Sequence, residues 1–138
     1  MFNLLRTSPK VKTLGQAGEE IAQAEYKKRG YEIVAANFFN KKGLRLGEVD
    51  FIAKNKKQLV FVEVKTRAVL KGKFGTPEEA VNIFKQMKIL KAVKIFLQKN
   101  LKYAQFAPQI DVCVVELENI DKSPKSVKII TNAVEDWN

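Results

Sequence analysis

GEVDFIAKNKKQLVFVEVK, residues 47–65, is the stretch on which the reading of this chain turns. Two runs within it, Glu48 to Lys54 and Gln58 to Lys65, alternate apolar and polar residues with period two. Between them lies the polar turn Asn55-Lys56-Lys57. Alternation of this kind around such a turn predicts a β-hairpin. With Lys54 facing Leu59, Val49 faces Val64, Phe51 faces Val62 and Ala53 faces Val60, so one face is wholly apolar.

The same register sets Asp50 opposite Glu63 and Glu48 opposite Lys65. Like charges directly opposite destabilise a sheet, and burial adds to the cost. A slip by one residue would set polar against apolar along the whole ribbon, so the acid pair is retained. A bound divalent cation would cancel the repulsion, and carboxylate oxygens are the ligands that Mg²⁺ prefers. Lys65 lies two residues past Glu63, on the same side of the strand. Two acids and a lysine converging on one spot suit metal-assisted phosphodiester hydrolysis. The competing explanation is a solvated sheet face with charge pairs, which a lone E-x-K would favour.

The chain has 138 residues, the size of one domain with a real core, and no long linker divides it. Lys and Arg number 25 against 15 Asp and Glu, a formal charge of +10. That excess suits a polyanionic partner, most simply nucleic acid, DNA ahead of RNA, although a merely soluble basic protein would also show it. With no histidine, imidazole-based acid–base chemistry, imidazole zinc sites and Ser-His-Asp triads are excluded. Cys113 is the only cysteine, so no internal disulfide and no cysteine-cluster metal site can form. It falls in an apolar run and reads as a buried thiol in a protein of the reducing cytoplasm. The start, MFNLLRTSPK, has too short an apolar run for a signal peptide. No run approaches ~20 apolar residues, so no membrane span is expected.

Residues 1–12 read as a flexible basic arm and residues 13–138 as a single domain. Thr13 with Gln16 forms a capping box for a helix running to about Arg29, where Gly30 stops it. Leu14, Ala17, Ile21 and either Ala24 or Ala22 supply its apolar side. Glu20 shares a solvent stripe with Gln16, Gln23 and Lys27, whereas Glu19 shares a small, partly apolar one with Gly15, Ala22 and Tyr26. A carboxylate on such a stripe needs a partner, which makes Glu19 the functional candidate of the two.

Tyr31 to Asn37 reads as a strand, followed by a basic loop with Lys41, Lys42 and Arg45. After the hairpin, Thr66 to Thr76 is a second basic loop, with Arg67, Lys71 and Lys73. Such loops beside a metal site would hold a phosphate backbone, although solubility alone explains any single lysine. Thr76-Pro77-Glu78-Glu79 starts a long helix, broken near Asn82 and ending about Asn100, with Ile83, Met87, Leu90, Val93 and Leu97 as its buried stripe. Lys85, Lys88, Lys91 and Lys94 recur every third residue and spread over half the helix, so a solvated face accounts for them and a nucleic-acid footprint is the sharper alternative. Gln109 to Leu117 and Ser126 to Thr131 read as strands, with Asp111 a polar residue at a strand start. The order helix, three strands, long helix, two strands implies an α/β or α+β sandwich, with a mixed sheet of about five strands flanked by helices.

In order and spacing, several segments of this chain resemble the YraN-like family of small bacterial proteins. They are Gly15-x-x-Gly18-Glu19, Gly30-Tyr31, Asn37, Gly47-Glu48-Val49-Asp50, Phe61-Val62-Glu63-Val64-Lys65-Thr66-Arg67, Gly75-x-Pro77-x-Glu79-Ala80-Val81 and Lys85. The resemblance spans residues 13 to about 115. That family resembles the archaeal Holliday-junction resolvases of the PD-(D/E)xK nuclease superfamily. The resemblance implies a restriction-endonuclease-like fold, Mg²⁺ or Mn²⁺ as cofactor, DNA, including branched DNA, as substrate, and a homodimer. By position, Glu19 matches the acid on the first helix, Asp50 the motif aspartate, Glu63 the second acid and Lys65 the lysine, with the Val64 carbonyl as a further metal ligand. Val49 stands where the superfamily has proline, and Gln109-Ile110-Asp111 where this family usually shows Arg-Phe-Asp. Glu48 belongs to the family signature, either as a ligand or as a salt-bridge partner of Lys65. Lys41, Lys42, Arg45, Arg67, Lys71, Lys73, Lys85 and Lys88 are the nucleic-acid contacts this reading expects. The rival is a nucleic-acid-binding or assembly protein that uses the same fold without cutting.

Overall fold

Helix α1 (Leu14–Lys28) begins as its sequence dictates. Thr13 Oγ1 accepts from the Gln16 amide at 3.1 Å, and Gln16 Oε1 accepts from the Thr13 amide at 3.0 Å, closing the capping box. At the other end Gly30 adopts a left-handed φ of 93°. Its amide donates to the Lys27 carbonyl at 3.0 Å and the Tyr31 amide to the Tyr26 carbonyl at 3.0 Å, a Schellman stop that only glycine enters at little cost. The stop carries its usual apolar clasp: the Tyr31 and Tyr26 rings pack edge to face, 5.4 Å between centroids.

The computed structural model describes residues 12–36, 49–68, 83–118, 124 and 126–134. After α1 come β1 (Glu32–Ala36), β2 (Phe51–Lys54), β3 (Gln58–Ala68), α2 (Ile83–Lys99), a short 3₁₀ turn (Leu101–Tyr103), β4 (Ala107–Leu117) and β5 (Ser126–Ile130). The strands form one mixed sheet in the order β1-β2-β3-β4-β5. β2 and β3 are the expected hairpin, with Lys54 paired to Leu59, Ala53 to Val60, Ile52 to Phe61 and Phe51 to Val62. Asn55 Oδ1 closes the turn by accepting from the amides of Lys57 (2.9 Å) and Gln58 (2.7 Å). β3 also runs parallel to β4 over its whole length. Parallel neighbours need a long crossover, and α2 lies within it. This is an α/β fold of restriction-endonuclease-like arrangement, with five mixed strands between two helices.

Among the described residues, alternation along the strands makes two large cores, with Val112 and Val114 forming a third, smaller cluster against Ile130 and Ala133. Phe51, Ala53, Val60, Val62, Val64, Cys113 and Val115 pack with Ala22 and Tyr26 of α1. Ile52, Leu59, Phe61 and Ile110 pack with Ile89, Val93 and Phe96 of α2. Cys113 is a fully buried free thiol, as its apolar run implies. No helix among the described residues is long and apolar enough to cross a membrane.

Four expectations need correcting. Val49 does not share a face with Val64: it packs with Ile52 and Phe61, while Val64 lies in the α1 core. The cause is a bulge-like offset, because the Asp50 amide donates to the Val62 carbonyl (2.9 Å), whose residue is already paired with Phe51. Met87 is 65% exposed, so the buried stripe of α2 is Ile89, Val93 and Phe96, with Leu90 and Leu97 at its margins. Gln23 is not on a solvent stripe but 6% exposed, and its amide nitrogen has no hydrogen-bond partner among the described residues. Ala22, not Ala24, completes the apolar side of α1. Asp111 is 2% exposed, four residues inside β4 rather than at its edge. It accepts hydrogen bonds from the Tyr26 hydroxyl (2.6 Å), Gln109 Nε2 (2.8 Å) and the Asn132 amide (3.2 Å). Three donors are what a buried carboxylate without a cation needs. Burial and the charge of Asp111 push the Tyr26 hydroxyl well above its usual range. Residues 1–11 of the arm, residues 37–48 with the first basic loop, and the helix start at Thr76 lie outside the described residues.

Tyr26→Phe removes one donor from the buried Asp111 and is expected to cost about 1–3 kcal/mol of stability. Met87→Ala should stay within about 0.5 kcal/mol, as exposed positions do. Urea unfolding at pH 7 measures both. Equal losses would contradict the assigned burial.

Candidate active site

Four elements converge beyond the start of β2. β2 begins only at Phe51 while β3 runs on to Ala68, so among the described residues no strand pairs with this edge of β3 past Val62. Asp50 takes that place with its side chain. Its Oδ2 accepts from the Val64 amide at 2.7 Å, while its own amide holds the Val62 carbonyl. The expected face-to-face pairing of Asp50 with Glu63 is therefore replaced by an offset that turns the carboxylate toward β3, as bulges beside functional sites do.

Glu19 arrives from the first turns of α1. The helix can approach because residue 18 has no side chain: a Cβ there would stand 1.8 Å from Thr66 Oγ1 on β3. Glu19 hydrogen-bonds to Asp50, and its carboxyl is pushed up to about 8 by burial, by the charge of Asp50 and by that bond, with Glu63 adding to the effect. These causes favour the protonated form of Glu19 beside Asp50. Glu20, one residue on, pairs with Lys12 at 2.6 Å on the surface, as its stripe implies.

Glu63 is buried on β3. Burial and the charge of Asp50 raise its carboxyl to about 7, and Lys85 and Lys65 pull in the opposite direction. Lys65 Nζ is 4.0 Å from Glu63 Oε1, and Lys85 Nζ of α2 is 3.3 Å from the same oxygen. Lys85 was expected on a solvated or nucleic-acid face, but it lies four residues before Ile89, on the inward stripe. Phasing α2 on Ile89, Val93 and Phe96 instead of Met87 would have found it.

Glu19, Asp50, Glu63 and Lys65 are thus neighbours, and Lys85 joins them. The acids offer hard oxygen donors, the kind Mg²⁺ and Mn²⁺ take. Among the described residues, however, no three acidic, cysteine or histidine side chains are grouped so as to hold one ion. Two of the acids meet each other, Glu19 and Asp50, with Asp50 also tied to the Val64 amide, whereas Glu63 is tied to the lysines. Of the expected phosphate contacts, Arg67 is half-buried on β3 and Lys88 is exposed on α2. Glu48, Lys41, Lys42, Arg45, Lys71 and Lys73 lie outside the described residues.

The sequence profile of the uncharacterised protein family UPF0102 matches residues 18–115, a span that contains all five of these side chains. A UPF0102 protein of Caldanaerobacter subterraneus subsp. tengcongensis is 40% identical over 122 residues, covering 88% of this chain and 94% of that one. One from Caldicellulosiruptor bescii is 39% identical over 123 residues, covering 89% and 98%. One from Clostridium botulinum is 40% identical over 122 residues, covering 88% and 94%.

Raised carboxyl values make stability depend on pH. With an ordinary carboxyl value of 4.5, against about 8 for Glu19 and about 7 for Glu63 in the fold, the folded chain binds more protons than the unfolded one across that interval. Stability from these groups is full below the unfolded value and is lost as pH rises through 7 to 8. Denaturant unfolding in chelator, from pH 5 to pH 9, should show that decline, and Asp50→Asn should flatten it. A wild-type profile that rises over this range would refute the assigned protonation.

Proposed function

We propose that this chain, which belongs to the uncharacterised protein family UPF0102, is a divalent-cation-dependent endonuclease that hydrolyses phosphodiester bonds in DNA. The observation that carries the reading is the convergence of Glu19, Asp50 and Glu63 from three elements, with mutual repulsion, beside two lysines. Structural acids are ordinarily paired off or left in water. Here burial and repulsion raise two of them, the pattern of a site prepared for chemistry.

Asp50 and Glu63 would hold Mg²⁺ or Mn²⁺, with the Val64 carbonyl as a further ligand and Glu19 completing the site directly or through water. The donor chemistry fits such an ion, on condition that Glu19 gives up its proton and Glu63 its lysine. When bound, the cation supplies Lewis-acid polarisation of the phosphate and an acidified water. The chain's own residues do the rest. The Val64 amide keeps Asp50 oriented. Lys65 positions the attacking water or stabilises charge growing on the phosphate. Arg67, Lys88 and the basic segments with Lys41, Lys42, Arg45, Lys71 and Lys73 would bind flanking phosphates, and Glu48 would either add a ligand or pair with Lys65. A charge of +10 favours such a polyanion. The substrate class includes branched DNA, with RNA as the second choice, the active form is a homodimer, and the compartment is the cytoplasm, where a free Cys113 stays reduced.

The test incubates the protein with labelled linear, flapped and four-way DNA and Mg²⁺ or Mn²⁺. Asp50→Asn, Glu63→Gln and Lys65→Ala should each lower cleavage at least about 100-fold, as removal of a transition-state contact does. Cleavage that persists in Glu63→Gln and Lys65→Ala would rule out this site. Cation-independent DNA binding with no cleavage would instead support a binding protein on the same fold.

A further inference from the structure

Five lysines lie on α2 and four of them, Lys88, Lys91, Lys94 and Lys99, are exposed. Lys85 is the exception. It continues the stripe of Ile89, Val93 and Phe96 past the end of the apolar core and onto the acids. Its ammonium is the nearer of two to Glu63 Oε1, 3.3 Å against 4.0 Å for Lys65, and its side chain is the less exposed, 24% against 36%. The lysine of the E-x-K motif is therefore not the principal counter-charge of the motif's own acid.

A cation in this position has two effects. It neutralises Glu63 where Asp50 and burial would otherwise favour the uncharged form. It also stands on the oxygen that an incoming ion would use. An ammonium and a divalent cation on one carboxylate oxygen repel strongly where water is scarce, so they exclude one another. Lysine is suited to such an exchange, being a point charge on a flexible four-carbon stem that also binds phosphate.

We infer that Lys85 is an exchangeable counter-cation: it holds Glu63 in the metal-free protein, leaves when a divalent cation takes that carboxylate, and then binds a phosphate oxygen of the nucleic acid. The inference rests on the endonuclease reading above and adds to it a second lysine, on a different element, with a different task from Lys65.

Titration calorimetry of the full chain with Mn²⁺ tests the first half. Lys85→Gln should bind the ion about tenfold more tightly than wild type, because its competitor is gone. Lys85→Arg, which keeps the charge, should not. Fluorescence anisotropy with a labelled DNA duplex tests the second half. Lys85→Gln should lose affinity in Ca²⁺ and match wild type in chelator. Ion affinity unchanged or weakened in Lys85→Gln, with binding still abolished by Asp50→Asn, overturns the inference and leaves the endonuclease reading standing. No ion binding by wild type overturns both. Should Lys85→Gln fail to fold, the wild type carries the test alone. Reductively ¹³C-methylated lysines are followed by NMR, and the Lys85 signal must move on saturation with Mg²⁺; a signal that stays fixed overturns the inference.

Discussion

A carboxylate brought out of water beside another carboxylate is the constraint to which the rest of this structure answers. The charge of Asp50 adds to the cost of burying Glu63, and Glu19 joins them from a helix. Each acid is relieved differently. Asp50 receives a main-chain amide, Glu19 hydrogen-bonds to Asp50 with its carboxyl pushed toward the protonated form, and Glu63 takes two lysines. Desolvated carboxylates persist only when such partners are supplied.

The fold delivers these groups through ordinary packing. The bulge-like offset at Asp50 releases its side chain from the alternation of β2 and sends Val49 into the other core. The missing side chain at Gly18 lets α1 lie on Thr66, two residues past Val64. The inward stripe of α2 runs off Ile89 onto Lys85. One strand, β3, supports all of it, buried on both faces and paired on one side to a parallel neighbour along its full length.

The polar network around Asp111 is a different use of a buried acid. Tyr26, Gln109 and the Asn132 amide satisfy it, and Gln58 Nε2 extends the chain of bonds to Gln109 at 2.9 Å. It ties α1, β3, β4 and the turn after β5 into one body. An acid held by three neutral donors is a structural acid, and the contrast with Asp50 and Glu63 separates the two roles within one sheet.

Local chemistry alone determined the capping box at Thr13, the glycine stop at Gly30, the Asn55 turn and the hairpin register from Phe51 to Lys54, because each depends on residues only a few positions apart. Alternation and helical period likewise determined the strand order along the chain and the choice of Glu19 over Glu20. What the sequence could not decide was anything set by contact between distant segments. The offset at Asp50 depends on where β2 begins against β3. The burial of Gln23 and Asp111 depends on what packs over them. The phase of α2 depends on the sheet beneath it, since Met87 and Ile89 are equally apolar as letters, and only the surface they meet selects which one turns inward and carries Lys85 to the acids with it.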